Sequence, residues 1–326
     1  MNRLLCFCIP TYNRKSSLEA VLKSLLPQIG GYEIPIYISD NNSEDSTSDM
    51  IRTFQKKYPF IFYKKQESNK GIDVNMLEVI KMATTKYAWW LGDDDVVLGN
   101  AVDEVFSLLE QNNKYDFILL NGKLRSGNLT LRDTKNSIIE DCKDLFRRYC
   151  FSIPFGTLIV DVEKLKKQDP SRFLGTFHVY SGLVWDYLAE EYIENGRNNI
   201  LLVSKPVVLL GGGSELKTYS DYLAEVVLLG IPEWFSKLHA IYSTDAEKLR
   251  ATFLEERSNV KSFIIYRSAG SIGLSNYLLL TKYLPLKEKI LGLLVSLLPI
   301  RVANLILHVG KNLRSSVRQI IGRRDR

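Results

Sequence analysis

The densest group of ionisable side chains in this chain is Asp93, Asp94 and Asp95, which follows the apolar stretch YAWWL and a single glycine. Three carboxylates crowded at one turn repel one another unless a cation sits among them. Hard oxygen donors suit magnesium or manganese, commonly through one or two carboxylates with substrate phosphate oxygens filling the other positions. A solvated acidic turn, or the acidic first turn of a helix over residues 96–109, would use the same residues without a metal.

Carboxylates act together only if the chain gathers them, and the apolar pattern says how. Residues 4–9 are a short run of strand formers, broken by Pro10, Thr11 and Asn13, after which Leu18, Val21, Leu22 and Leu25 recur at helical spacing. The unit repeats: residues 34–38 end in Asp40, Asn41, Asn42 and Ser43, and a helical pattern follows through Met50, Ile51 and Phe54. A third run at 60–63 leads to a helix around 74–82, and residues 87–91 give a fourth strand that stops at Gly92. Further strands are expected at 115–121, 155–160 and 201–210, with a helix at 144–151. This alternation predicts an α/β domain whose mostly parallel sheet is covered on both faces. Ligands in such sheets bind outside the carboxyl ends of the strands, so residues 11–14, 40–43 and 93–95 are expected to line one cleft.

Composition sets the frame. With 326 residues, 45% hydrophobic and 25% charged, the chain can bury a substantial core and is not of the disordered class. Cys6, Cys8, Cys142 and Cys150 form no CxxC pair; Cys6 and Cys8 share one face of a strand and are expected to be buried thiols. The apolar stretch before Pro10 is too short for a secretory signal, which points to a reducing cytosol. Of the net charge of +6, residues 282–326 alone carry +8, so the rest sums to about −2 and shows no nucleic-acid footprint.

In order, IPTYNR after the first strand, ISDNNSED after the second, NKGIDVN before the fourth and then WWLGDDD resemble the family-2 glycosyltransferases of the GT-A fold, over roughly residues 1–190. The resemblance implies that Asp95, with Asp93, holds Mn2+ or Mg2+, while Asp93 and Asp94 face the ribose and diphosphate of a nucleotide-diphosphate sugar. It places Pro10, Thr11, Tyr12 and Arg14 near the nucleotide, and Asn69, Gly71 and Asn75 in the family's N-x-G loop beside the donor sugar, with Asp73 an additional carboxylate there. A plain turn before a helix accounts for Asn69 and Gly71 equally well.

The second strand ends in Asp40 and Asn41 where the family commonly carries two acids. A carboxylate suits the N3–H of uracil, whereas an Asp and an Asn between them suit cytosine, so a CDP-sugar donor is expected. Either residue could instead cap the helix that follows. An inverting transfer needs a base for the acceptor hydroxyl, and Asp186, in HVYSGLVWDYL, matches the family's base position. Here Trp185 replaces the acid that often precedes it, and a helix-surface acid is the other account of Asp186. His178 is the second candidate on the acceptor side, and Trp185 could stack on a sugar. Residues 211–214, GGGS, are expected to form a loop near the acceptor. A nucleotidyltransferase would need a Gly-rich, Lys/Arg-containing N-terminal loop, which is missing; a sugar-binding scaffold without turnover would not need the intact acidic run.

The expected organisation is a GT-A catalytic domain over 1–215, a helical extension over 216–284 and an amphipathic basic tail over 285–326. The run ILGLLVSLLPI at 290–300 is eleven residues, short of the roughly 20 that cross a bilayer. Flanked by Lys287, Lys289, Arg301, Lys311, Arg314 and Arg318, it is expected to lie in a membrane interface, the alternative being a helix docked on the protein's own core. The tail and the Asp40-Asn41 variation resemble O-antigen members of the family. That implies a lipid-linked glycan acceptor and a place at the cytoplasmic face of the cell membrane.

Overall fold

The computed structural model describes residues 2–111, 114–151, 153–211 and 222–309. The chain divides into two compact units, Met1–Leu216 with Leu238–Tyr242, and Lys217–Lys237 with Ser243–Arg326.

The first unit opens with the expected repeats: β1 (Leu5–Thr11), α1 (Lys15–Ile29), β2 (Ile36–Asp40), α2 (Thr47–Lys57), β3 (Ile61–Lys65), α3 (Ile72–Met82) and β4 (Tyr87–Trp90). Then come β5 (Val96–Val97), α4 (Ala101–Gln111), β6 (Phe117–Leu124), β7 (Ser137–Ile139), α5 (Cys142–Tyr149), β8 (Leu158–Asp161), α6 (Val162–Lys166), α7 (Val179–Asn195) and β9 (Ile200–Leu210). Residues 96–97 are thus a short strand, and the helix expected from 96 starts at Ala101.

The strands form one sheet in the order β3-β2-β1-β4-β8-β6-β9-β5, with β7 also on β9. The β3-β2-β1-β4 half is parallel. β8 is antiparallel to both β4 and β6, so the sheet is mixed in its second half. Central strands are buried on both faces, which is why LCFCIPT and YAWW read as unbroken apolar runs. Pro10 is tolerated because β4 pairs only with Leu5 to Cys8, leaving Pro10 with β2 as its one neighbour. Leu18, Val21, Leu22, Leu25 and Ile29 turn one stripe of α1 into the same core cluster that holds Phe7, Ile9 and Trp89. Each such fully buried side chain contributes roughly 1.5–3 kcal/mol.

After β3 the chain returns to the other side of β1 to form β4. That reversal leaves a crevice beyond the ends of β1 and β4, and this is where the loops carrying Thr11, Arg14 and Asp93 to Asp95 emerge.

The second unit is helical: α8 (Leu223–Glu225), a π-helical turn (Val226–Gly230), α9 (Ile231–Lys237), α10 (Ser243–Arg257), α11 (Val260–Ser268), α12 (Tyr277–Leu280), α13 (Leu286–Ser296) and a last helix over Ile300–Val309. Its core gathers Leu228, Phe263, Tyr266, Ile272, Leu280, Val295 and Ala303. Gly292 of α13 lies so close to the Phe263 ring that a β-carbon there would collide with it.

Candidate active site

Four strand ends build the acidic centre. The Thr11 hydroxyl donates to Asp93 Oδ2 at 2.8 Å, and Arg14 donates to Asp93 Oδ1 at 2.9 Å and Asp94 Oδ2 at 3.1 Å. Burial pushes the Asp93 carboxyl up to about 6, with Arg14 pulling it back and Asp94 adding to the rise. Asp95 is buried as well, and burial together with Asp94 pushes it up to about 8.

Asp95 sits in a cradle of backbone. Its carboxylate accepts the N–H of Gly92 at 3.1 Å and of Gly211 at 2.9 Å. A β-carbon at Gly92 or Gly156 would run into the same carboxylate, and Gly156 also holds φ +106, so only glycine serves there. Pairing explains the convergence. Trp90 of β4 pairs with Leu158 of β8, bringing Gly156 alongside, and Val96 pairs with Leu209 of β9, bringing Gly211. The sequence flagged Gly92 by position. Gly156 carried no local signal, because its role exists only once β8 has paired. Residues 212–214 of the GGGS loop lie outside the described residues.

The neighbouring loops are stitched to this centre. Asn41 N–H donates to Thr11 O at 2.9 Å, Asn13 N–H to Ser43 Oγ at 2.8 Å, and Lys15 N–H at the start of α1 to Asp45 Oδ2 at 2.8 Å. Asp40 accepts from Ser43 N–H at 2.8 Å and from the Tyr63 hydroxyl at 2.5 Å. Asn41 Nδ2 donates to Asn69 Oδ1 and Gly71 O, while its Oδ1 accepts Lys70 N–H. Both strand-end residues therefore hold loops, Asn41 the one that contains Asn69 and Gly71. Asn75 bridges Ser39 Oγ and Thr11 O. Tyr12 is exposed and Pro10 half-buried beside the crevice.

Asp73 has a role the sequence did not specify. From the first turn of α3 its carboxylate accepts the N–H groups of Gly175, Phe177 and Val179 at 2.9, 3.1 and 3.3 Å. This anchors the segment that starts α7, where Phe177 is held at φ +64. Burial raises the Asp73 carboxyl, and the three amides oppose that rise.

α7 separates the two acceptor-side candidates. The Tyr180 ring lies 6.3 Å from that of Trp90, the last residue of β4, and 5.2 Å from Phe155. Tyr187 instead donates to Asp116 O, at the level where Tyr87, the first residue of β4, donates to Tyr115 O. The helix therefore descends from the crevice, and at 1.5 Å per residue Asp186 lies about 9 Å below Tyr180 along its axis. There Asp186 pairs with Arg172, and burial, opposed by Arg172, pushes it up to about 6. The structure does not bring Asp186 to the acidic centre, and it places Trp185 in the core, edge-on to Phe146 and Tyr242, out of reach of a sugar. His178 stays at the crevice end, its ring 6.0 Å from Tyr180 and its pKa pulled down to about 4 by burial.

Residues 6–173, which carry the site from Thr11 to Gly156 but not the α7 segment or Gly211, match the sequence profile of glycosyl transferase family 2. The chain belongs to that family. It is a glycosyltransferase, not a nucleotidyltransferase, and its fold agrees: the crystal structure of S. aureus TarS 1-349 in complex with UDP superposes with a TM-score of 0.54 at 16% identity, covering 90% of each chain.

Among relatives, this glycosyltransferase is 43% identical over 96 residues to abequosyltransferase RfbV of Salmonella typhimurium, a match spanning 29% of each protein. It is 24% identical over 250 residues to the GalNAc(5)-diNAcBac-PP-undecaprenol beta-1,3-glucosyltransferase of Campylobacter jejuni, covering 75% of this chain and 78% of that one.

Among the described residues no group of three or more His, Cys, Asp or Glu side chains forms a ready metal cage. The donor set fits a divalent ion of the kind completed by substrate. Asp95 is a buried hard-oxygen donor that resists ionising without a cation, and Asp93 lies beside it.

Proposed function

We propose that this enzyme moves a glycosyl group from a nucleotide-diphosphate sugar to a lipid-linked glycan, with inversion at the anomeric carbon. The observation that carries the proposal is the buried carboxylate pair Asp93 and Asp95 at the β1/β4 crevice, aligned by Thr11, Arg14 and three glycines. Asp95 and Asp93 would hold Mn2+ or Mg2+, which when bound neutralises charge on the leaving diphosphate. Arg14 steadies Asp93 and Asp94, so the acidic turn is already arranged when the donor arrives. Asn69, Gly71 and Asn75 form the crevice wall beside the donor, held by Asn41 and Thr11.

The acceptor proton goes to His178 in this scheme rather than to Asp186. His178 is at the crevice end of α7 and neutral at working pH, whereas Asp186 is spent on Arg172 about two turns away.

The donor proposed is a CDP-sugar, CDP-abequose in the specific form, and the acceptor an undecaprenol-linked or similar oligosaccharide in O-antigen synthesis at the inner face of the cell membrane. The 96-residue likeness to an abequosyltransferase and the amide at Asn41 support the first; the longer likeness to an enzyme named for an undecaprenol-linked substrate supports the second. Isothermal titration of CDP against UDP in Mn2+, followed by a nucleotide-sugar panel read as nucleotide release, tests both. Tighter binding of UDP would sink the CDP assignment, and no release from any donor would sink the transfer scheme.

A further inference from the structure

Exposed apolar side chains are concentrated in one stretch: among the described residues, more than half of the large hydrophobic side chains that stay exposed lie between residues 274 and 309. On α13 they form a stripe, Leu286, Ile290, Leu294 and Leu297, while Gly292 and Val295 on the other side close on the unit's core. The helix over Ile300–Val309 repeats the arrangement, with Val302, Leu305, Ile306 and Val309 exposed and Ala303 buried. Leu278 and Leu279 of α12 add to it. Each helix has one apolar face satisfied by its own core and a second, at the same three-to-four spacing, facing water. A contiguous patch of this kind marks an interaction surface.

Charge and length say what covers it. Between residues 282 and 309 the exposed or half-exposed Lys282, Lys287, Lys289 and Arg301 are opposed by Glu288 alone. A second copy docked across a two-fold axis would bring these cations together, whereas anionic headgroups would pair with them. Among the described residues no single helix is long and apolar enough to cross a membrane, and the two helices meet at 105°. Each spans only about 15 Å against a hydrocarbon core of about 30 Å.

We infer that α12, α13 and the helix over Ile300–Val309 form a docking surface for an anionic phospholipid bilayer, lying in the interface plane with the leucine stripes in the acyl boundary and the lysines at the phosphates. This surface is independent of which donor the enzyme uses. It also begins earlier in the chain than the tail expected from the sequence, at Leu278.

The test is sedimentation of the full chain with phosphatidylglycerol-rich and with pure phosphatidylcholine vesicles, which needs neither donor nor acceptor. The protein should pellet with the former, less so as salt rises, and partition about tenfold more weakly for each of Leu294→Asp and Leu305→Asp. Those residues are 58% and 61% exposed, so an unchanged thermal midpoint is expected and reports folding. Lys287→Glu with Lys289→Glu should abolish the preference for phosphatidylglycerol, which keeps the test decisive if a leucine variant fails to fold. Equal pelleting of variants and parent, no preference for anionic vesicles, or a lipid-free dimer that the leucine variants break would overturn the inference.

Discussion

Asp95→Asn is the substitution whose consequences the structure sets most tightly. Asp95 is buried, and burial with the nearby Asp94 carries its carboxyl from 3.8 in the unfolded chain to about 8 in the fold. Because the folded value is the higher one, the folded chain binds more protons than the unfolded chain between those two values. Stability without metal therefore falls as pH rises from about 4 to about 8, at up to ~1.4 kcal/mol per pH unit from this group. From pH 5 to 7 that is roughly 2–3 kcal/mol. An asparagine has no such proton to lose, so the variant should lack this slope. It should pay an offset of about 1 kcal/mol at low pH, since one amide oxygen must serve both the Gly92 and the Gly211 N–H. The assay is urea unfolding in chelator at several pH values, repeated with Mn2+. Manganese should stabilise the parent most at high pH and leave the variant unmoved. Equal pH slopes for parent and variant would refute the argument, because the charge on Asp95 would then cost nothing in the fold.

Two further substitutions address the acceptor side. His178→Ala should lower kcat about 10²- to 10⁴-fold with the donor KM little changed, whereas Asp186→Asn should lower stability and leave kcat within a few-fold. The pH profile separates them. A base with a pKa of about 4 leaves activity level as pH falls to 6, while Asp186 at about 6 would halve it there; an inflection near 6 lost in Asp186→Asn would reverse the assignment. Asp73→Asn keeps one acceptor oxygen for three amides and should cost about 2 kcal/mol in urea unfolding while raising the acceptor KM. A change under about half a kcal/mol would show that the start of α7 is held by other contacts.

The candidate site was legible because it is built from strand ends, where an apolar run stops and polar residues begin. IPTYNR, ISDNNSED and GDDD each sit at such a stop, and the crevice they share follows from sheet order. What the sequence concealed depends on pairing between distant segments. Gly156 and Gly211 reach Asp95 only through the β4-β8 and β5-β9 registers. Asp73 looked like one more loop acid until α7 was placed beside α3. Asp186 and Trp185 were matched by their place in the chain, but a helix that begins at Val179 carries them down its length and into the core. The helices of the expected tail do dock on their own unit, and only their second faces remain for another surface.

The measurement closest to the central claim is glycosyl transfer from a nucleotide-diphosphate sugar by the metal-stripped enzyme, with and without added Mn2+, for the parent and Asp95→Asn. Turnover should vanish in chelator, return with Mn2+, and be at least about a thousandfold lower in a folded Asp95→Asn variant. Undiminished transfer in chelator, or by the variant, would contradict the claim.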